Sequence, residues 1–361
     1  MNRRTVLAGA GAALVAGSTR PAGAQSSALD ALVTAAKAEG TLTMDGPPGD
    51  EVRQGLLNGF QRAYGIPISY IPSGSSSSSA RIRAERASGK YVLDVFLSGA
   101  DAACITFLPS GWLDRVEPVL VAPDVLDKSK WKDGHLWYED DAHTILRILN
   151  TVAPGLAVNT KLVKPAEVAT WKSLLEPKWQ AKIIAKDPLT YGAGSQLNSY
   201  FYITFGPEYV KKLYQVQQPV LSRNARQAMQ WLAEGSYPIL LGPDTASMIA
   251  FKKLGYPIEA VIPTDGPGML NCGWGLICLM NKAPHPNAAK LFVNWLSGTT
   301  GQTIYANATQ SVSLRTDVKY DNLPAYLFPQ KKTSYMDTSD WKFVTQTHED
   351  ALNKVQALLG K

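Results

Sequence analysis

The first third of this chain alternates between helical and strand-like patterns of apolar residues. Leu29, Leu32, Val33 and Ala36 recur at the spacing of one helix face. From residue 41 to residue 97 the patterns follow in the order strand, helix, strand, helix, strand. Because helices that alternate with strands form crossovers between parallel strands, this order predicts an open α/β sheet.

A second alternating region begins at Ala157. The apolar spacing predicts helices near residues 168–175, 195–205, 208–215, 226–234, 286–298 and 345–359, and strands at 183–185, 238–241, 258–262 and 276–280. A chain of 361 residues is long enough for two domains, each with its own core. We therefore predict two α/β lobes that are joined near residues 150–158 and 263–275.

Residues 1–24 have the pattern of a removable export signal. Arg3 and Arg4 precede an uncharged run at residues 5–17, and the small residues at 22–24 suit a signal peptidase. The run is shorter than the roughly 20 residues that span a bilayer. We predict export to the periplasm. The adjacent arginines favour a twin-arginine address, and an ordinary secretory signal is the alternative.

The charge balance argues against a nucleic-acid partner. The chain has 36 Lys and Arg and 30 Asp and Glu residues, a net charge of +6. Cleavage after residue 24 removes three arginines and no acid, so the net charge falls to +3. The lysine pairs at 211–212 and 331–332 are typical of solvated surface, and no basic block interleaved with aromatic residues is present. We predict no nucleic-acid partner.

The cysteines and histidines do not form a metal-binding motif. Cys272 and Cys278 lie in an apolar stretch typical of a buried strand, where six steps span roughly 20 Å. A disulfide needs Cα atoms within about 7 Å, so these two should not pair. Pairing of Cys104 with either of them is an alternative to three buried thiols. The four histidines lack H-E-x-x-H spacing, and we predict no metal and no cofactor.

Residues 171–183 read W-K-S-L-L-E-P-K-W-Q-A-K-I. This stretch resembles the signature W-x-D-L-L-D-P-K-W-K-G-K-I of type II periplasmic binding proteins in the iron-type extracellular solute-binding group. Its apolar residues suit the packing of a helix that ends at Pro177. Other segments match in order, and they are D-V-F-L from Asp94, A-V-N-T-K-L from Ala157, G-x-Y-P-I-L-L from Gly235, D-G-P-G from Asp265, N-A-A-K-L-F-V-N-W-L from Asn287 and S-L-R-T-D-V from Ser313. The resemblance covers nearly all of residues 41–318.

The resemblance implies a two-lobed receptor, each lobe a mixed sheet flanked by helices, with a hinge that lets the lobes close on a solute. It implies that lobe 1 consists of residues 25–152 plus 268–318 and lobe 2 of residues 153–267 plus 319–361. It also implies a monomeric component of an ABC (ATP-binding cassette) import system that delivers a small-molecule solute to an ABC permease in the inner membrane.

Solute contacts in such a receptor come from strand ends and helix N-termini, where unpaired backbone N–H groups favour an anion. The serine-rich stretch after Pro72 and the glycine-rich stretch after Pro188 fit this description, and each also fits a plain helix cap or connection. Asp45 suits either a ligand cation or a cap of the next helix. The predicted ligand-binding residues are Asp45, Gly46, Ser73, Gly74, Ser75, Ser76, Ser98, Tyr191, Gly192, Gly194, Ser195, Asn198, Asp244 and Asp265.

Members of this group that bind Fe(III) use adjacent tyrosines after the strand that follows G-x-x-P, together with a histidine or carboxylate. Here that stretch, residues 239–244, contains no tyrosine. Tyr200 and Tyr202 point about 200° apart on one helix and cannot share an ion. The remaining hydroxyls, amides and glycines suit an organic anion such as a carboxylate, phosphonate or sugar phosphate. A ferric-ion receptor of the same fold is the alternative.

An exported hydrolase is a further alternative. It needs a nucleophile and a base, but the chain has no G-x-S-x-G elbow and no S-x-x-K pattern at a cleft position. The consecutive acids at 139–141 are typical of a solvated loop. We predict that the protein is not an enzyme.

Overall fold

The computed structural model describes residues 22–138, 142–189, 192–222 and 224–360. The predicted export signal, except for its last three residues, lies outside the described residues, as do the acids at 139–141 and Tyr191. The helices are α1 Ala22–Glu39, α2 Asp50–Tyr64, α3 Ser75–Ala87, α4 Pro123–Leu126, α5 Ala193–Phe205, α6 Pro207–Lys211, α7 Ala225–Glu234, α8 Thr245–Lys253, α9 Pro286–Ser297, α10 Thr299–Thr309 and α11 His348–Leu359. The strands are β1 Leu42–Gly46, β2 Ile68–Pro72, β3 Val95–Ser98, β4 Leu113–Asp114, β5 Leu136–Trp137, β6 Ile145–Arg147, β7 Thr151–Ala153, β8 Leu156–Asn159, β9 Ile183–Lys186, β10 Val220–Ser222, β11 Ile239–Leu241, β12 Ile258–Val261, β13 Gly268–Asn271, β14 Leu276–Met280 and β15 Tyr335–Asp337.

The first large sheet has the strand order β2-β1-β3-β14-β6-β5, and β4 also pairs with β14. β1 is parallel to β2 and β3, as the alternating pattern predicted, and β14 is antiparallel to β3 and β6. Alternate residues serve two cores. Val95 and Leu97 pack with α2 and α9 on one face, whereas Phe96 packs on the other face with a short π-helical turn, Ala102–Phe107.

The second large sheet has the order β10-β9-β11-β8-β12. β9 is parallel to β10 and β11, and β8 is antiparallel to β11 and β12. Successive residues of this sheet also point to opposite faces. Ile183 packs with α5 and α6 on one face, whereas Ile184 packs with α7 and α8 on the other. Each large sheet is therefore mixed and covered by helices on both faces.

A small sheet, β15-β13-β7, lies on the chain segments that connect the two large sheets. β7 separates β6 of the first sheet from β8 of the second, and β13 separates β12 from β14. These strands fall within the two connections predicted at 150–158 and 263–275.

The C-terminal segment touches the cores of both large sheets. Phe343 and Val344 are buried with Phe107 beside the first sheet. Val355 of α11 is buried beside the second sheet, where α11 packs along α5. Within the described residues, no helix combines the length and the apolarity needed to cross a membrane.

Two predicted elements are wrong. The helix predicted at 168–175 is instead a series of 3₁₀ turns, Pro165–Val168, Lys172–Leu175 and Pro177–Trp179. The strand predicted through Cys272 begins only at Leu276, because the chain turns there and the N–H of Gly275 donates to the Cys272 carbonyl at 2.8 Å. All three cysteine side chains are buried, and they share one core with Phe96.

Candidate functional site

Three of the predicted loops meet at one edge of the first sheet. β1, β2 and β3 are parallel, and register pairs Gly46 with Pro72 and Asp45 with Phe96. The loops that follow the strands therefore leave from the same edge, which is where open α/β sheets bind ligands. Ser98 ends β3 at this edge; it is fully buried and its hydroxyl donates to the Gly99 carbonyl at 2.5 Å.

The Asp45 carboxylate organises the serine-rich loop. It is buried and accepts hydrogen bonds from the Ser73 hydroxyl at 2.8 and 2.9 Å, the Ser78 hydroxyl at 3.1 Å and Arg81 Nη2 at 2.6 Å. Burial raises the pKa of Asp45 despite the opposing effects of Ser73 and Arg81. Asp45 does not cap α2, whose N-cap is Gly49 with no side-chain hydrogen bond. Its carboxylate is engaged by its own loop.

The serine-rich loop ends in the first turn of α3. Gly74 is the N-cap, in an extended conformation, and α3 has no side-chain cap. The Ser77 hydroxyl donates back to the Gly74 carbonyl at 2.8 Å. Ser75 and Ser76 are the first two helical residues. The first backbone N–H groups of any helix lack intrahelical acceptors. Where no side chain caps the helix, these groups can bind an anion.

The corresponding loop of the second sheet ends in α5. Gly192 is the N-cap at φ 137°, a conformation that favours glycine. Gly194 lies so close to the Asp187 backbone carbonyl that a Cβ atom would clash. The Ser195 hydroxyl donates to the Gly192 carbonyl at 3.0 Å. Asn198 Nδ2 donates to the Gly194 carbonyl at 2.9 Å.

A direct contact joins α5 to the edge of the first sheet. Asp101, which follows β3, is buried, and its Oδ1 accepts a hydrogen bond from Gln196 Nε2 at 3.0 Å. The backbone N–H of Gly192 also donates to the Asp101 carboxylate. Burial raises the pKa of Asp101, and the neighbouring His348 opposes this effect.

His348 joins the C-terminal segment to the same turn of α5. Its Nδ1 lies 2.8 Å from the Ser199 hydroxyl and its Nε2 lies 3.3 Å from the Ser195 hydroxyl. The ring stacks on Phe343. Burial lowers the pKa of His348, and the charge of Asp101 opposes this shift. The contacts bring the C-terminal segment, α5 and the loop after β3 together.

The two remaining predicted carboxylates are engaged by backbone groups. Asp244 is exposed and caps α8, where it accepts from the Ser247 N–H at 2.8 Å. Asp265 accepts from the N–H groups of Trp171 at 2.7 Å and Lys172 at 3.1 Å. Asp265 therefore orders the first turn of the W-K-S-L-L segment.

Residues 55–326 match the family model of bacterial extracellular solute-binding proteins. The chain belongs to this family. It is also 24% identical over 283 residues to an uncharacterized protein of Haemophilus influenzae, a match that covers 75% of this chain and 77% of that protein.

Solved structures of periplasmic binding proteins have the same fold as this solute-binding protein. AfuA from Actinobacillus pleuropneumoniae, solved with fructose 6-phosphate bound, is 20% identical with a TM-score of 0.70 over 88% of this chain and 98% of that one. Iron-bound HitA from Pseudomonas aeruginosa is 18% identical with a TM-score of 0.67 over 87% and 99%. The predicted two-lobed α/β fold of a periplasmic binding protein is confirmed, and these relatives are binding proteins rather than enzymes.

Two surface cavities of this solute-binding protein lie beside the second sheet, and the first is bordered by Asp187, Pro188 and Leu189 of the loop that leads to α5. One, of about 430 Å³, is lined by Tyr214, Leu221 and Leu359 among others. The other, of about 510 Å³, lies beside Lys172, Phe205 and Lys212. Neither cavity is lined by residues of the first sheet, and no group of three or more His, Cys, Asp or Glu side chains in the described ranges is arranged to hold a metal ion.

The sequence did not identify Asp101, Gln196 or His348. Asp101 and Gln196 each lie within a few residues of a predicted loop, so their positions carried a weak signal. His348 lies far along the chain from both loops and has no sequence signal of this contact.

Proposed function

We propose that this solute-binding protein is the periplasmic component of an ABC import system and captures a small organic anion between its two lobes. The solute class is a carboxylate, a phosphonate or a sugar phosphate. The observation that carries the proposal is the contact of Asp101 with Gln196 and Gly192, since it joins the start of α5 to the edge of the first sheet. On this proposal, polar loops from both lobes border the solute cleft.

The chemistry of these loops supports an anion. The starts of α3 and α5 carry backbone N–H groups, and neither helix has a side-chain cap. The helix dipole adds partial positive charge at both places. Ser73 lies just before α3, and Ser195 lies in the first turn of α5. The fructose 6-phosphate of the similar AfuA structure belongs to the solute class that we propose.

The proposal includes the export and delivery of the solute. We place the lobes at residues 25–152 plus 268–318 and 153–267 plus 319–361, with the small sheet β15-β13-β7 as the hinge region. A signal at residues 1–24 exports the chain, which works as a monomer and docks on an ABC permease of the inner membrane. Closure around the solute presents both lobes to the permease.

A thermal-shift panel of carboxylates, phosphonates and sugar phosphates tests the solute class. We expect one of these compounds to raise the melting temperature, since a ligand at about 100 times its Kd adds roughly 2.7 kcal/mol of stability. Ferric citrate and a polyamine serve as controls, because the first supplies ferric iron and the second is a cation. A panel in which no organic anion shifts the melting temperature, while ferric iron or the polyamine does, contradicts the proposal.

A ferric-ion receptor is the second candidate, since HitA is an iron-bound protein of the same fold. Residues 239–244 contain no tyrosine, and the Tyr200 hydroxyl is engaged with Trp171 Nε1 and the Pro267 carbonyl. We therefore expect no visible tyrosinate-to-iron absorption band when ferric citrate is added. The appearance of that band would reverse the ranking of the two candidates.

A further inference from the structure

Asp101 links the two lobes directly. The residue enters the π-helical turn Ala102–Phe107, whose apolar side chains belong to the core beside the first sheet. Its two donors, Gln196 Nε2 and the Gly192 N–H, belong to the start of α5. α5 is anchored in the core of the second sheet through Leu197 and Phe201. A carboxylate of one lobe is therefore held by donors of the other.

Asp101 is a buried carboxylate held by hydrogen-bond donors. The residue is only 8% exposed, and a buried carboxylate requires hydrogen bonds to offset the loss of water. The two groups of α5 that meet it are donors, so the carboxylate acts as an acceptor there, and His348 lies beside it. The start of α5 adds the positive end of the helix dipole. Hydrogen bonds to an ionised acceptor are roughly twice as strong as neutral ones.

This position coincides with one of the two places where a solute anion is proposed to bind. Gly192 is both the N-cap of α5 and a donor to Asp101. The Gly192 N–H cannot serve the Asp101 carboxylate and a solute oxygen at full strength at the same time. A solute that uses the start of α5 must therefore compete with Asp101.

We infer that Asp101 is an internal latch: its carboxylate occupies the start of α5, holds the two lobes together, and leaves this position when a solute anion binds there. The displacement part of this inference rests on the proposed function; the latch itself does not. A solute with a single carboxylate would only replace the Asp101 carboxylate at the start of α5 by a group of the same kind, with no gain in hydrogen bonding. A phosphate ester or phosphonate brings more charge and more acceptor oxygens, so the latch selects for this solute class.

The neighbouring contacts hold the start of α5 in place independently of Asp101. His348 lies within hydrogen-bond distance of the Ser195 and Ser199 hydroxyls, and its ring stacks on Phe343 in the core beside the first sheet. The C-terminal segment thus holds the first turns of α5 in place. Asp101 can leave the start of α5 without disturbing the helix itself.

The test compares Asp101→Asn with Asp114→Asn in the full mature chain. Asp114 is an exposed carboxylate of the same lobe. It pairs with Leu279 of β14, whereas Ser98 pairs with Leu276 of the same strand, so Asp114 lies three residues farther along β14. Small-angle scattering without solute should give a larger radius of gyration for Asp101→Asn than for wild type and Asp114→Asn. Equal radii for all three proteins overturn the latch, and this measurement needs no solute.

Titration with fructose 6-phosphate tests the displacement. Since a solute must overcome the latch, its apparent affinity is reduced by the latched fraction. Loss of the charge should lower the Kd about tenfold in Asp101→Asn, as expected from the difference between charged and neutral acceptors, and leave Asp114→Asn unchanged. An unchanged Kd in Asp101→Asn overturns the displacement, and an increased Kd overturns it in favour of direct solute contact by Asp101.

Two further outcomes are distinguishable. If neither fructose 6-phosphate nor methylphosphonate binds wild type or Asp101→Asn, the selection for this solute class fails, while the scattering comparison still decides the latch. If Asp101→Asn does not fold, Gln196→Ala removes the donor on the other lobe. That variant should also enlarge the solute-free radius, and a wild-type radius in Gln196→Ala overturns the latch.

Discussion

At the scale of single residues, the buried charges of this protein are neutralised locally. Arg315 is fully buried, and its guanidinium donates to Asp124 Oδ1 at 2.9 Å, Asp317 Oδ2 at 2.7 Å and the Thr299 hydroxyl at 2.7 Å. This cluster fixes the S-L-R-T-D-V segment against α10. Its role is structural, unlike the Asp101 contact, because all of its members belong to elements around the first sheet.

The Asp124 carboxylate gives a pH prediction. Burial alone would raise its pKa, but the hydrogen bonds from Lys130 and Thr299 and the charge of Arg315 lower it to about 2, from an ordinary 3.8. A lowered folded-state pKa stabilises the protein above the ordinary value, and this stabilisation is lost as the pH falls towards 2.

The stability of Asp124→Asn should therefore lie below that of wild type at pH 5 and approach it at pH 2. Chemical unfolding at a series of pH values measures this difference. Asp50→Asn changes an exposed carboxylate on α2 and should follow the wild-type curve. A difference between wild type and Asp124→Asn that stays constant from pH 5 to pH 2 would refute this account of the cluster.

At the scale of the elements, the start of α5 is built around Gly194. Helix propensity alone favours alanine over glycine by about 1 kcal/mol. However, a Cβ at Gly194 would clash with the Asp187 backbone carbonyl, which cannot rotate away. The close approach brings the loop after β9 against the first turn of α5.

Gly194→Ala should therefore lower the free energy of unfolding by roughly 1–3 kcal/mol. Gly74→Ala is the matched control at the start of α3, since its Cβ would meet only Ser77 Oγ at 3.8 Å and its φ is −81°. It should lower stability by less than about 1 kcal/mol, the order of the N-cap preference for glycine over alanine. Urea unfolding of both variants makes the comparison, and equal stabilities for the two would contradict the close approach.

The elements also show what the sequence can predict. α7 and α9 begin and end close to their predicted bounds, because each buries a regular apolar face. The helix predicted around Trp171 fails because Pro165 and Pro177 begin separate 3₁₀ turns. α10 was not predicted, since its sequence is mostly polar and small.

The candidate site was only partly predictable, because apolar periodicity shows where strands and helices lie but not how they pack against one another. Asp45, Ser73 and Ser98 were predicted as ligand contacts, and the parallel pairing of β1 with β2 and β3 brings the ends of these strands to one edge. The engagement of Asp45 by Arg81 depends on how α3 packs, which periodicity does not determine. The meeting of Asp101 with α5 depends on the relative position of the two lobes.

At the scale of the whole molecule, three chain segments cross between the large sheets. β7 and β13 form part of the small sheet, and the C-terminal segment carries β15 of the same sheet before it reaches α11. Arg147 of the first sheet donates to Asp337 of β15 at 2.7 Å, so this segment is tied to the first lobe before it enters the second. Such a layout suits rotation of one lobe against the other.

The central claim is that the two lobes close on an organic anion, and small-angle scattering of the mature chain tests it most directly. The radius of gyration is measured without solute and with a saturating concentration of the organic anion that gives the largest thermal shift. Closure predicts a smaller radius with solute in Asp101→Asn, which starts from a more open state, and a smaller decrease in wild type, whose lobes the latch already holds together. A radius that stays the same in both proteins at saturation would contradict the claim.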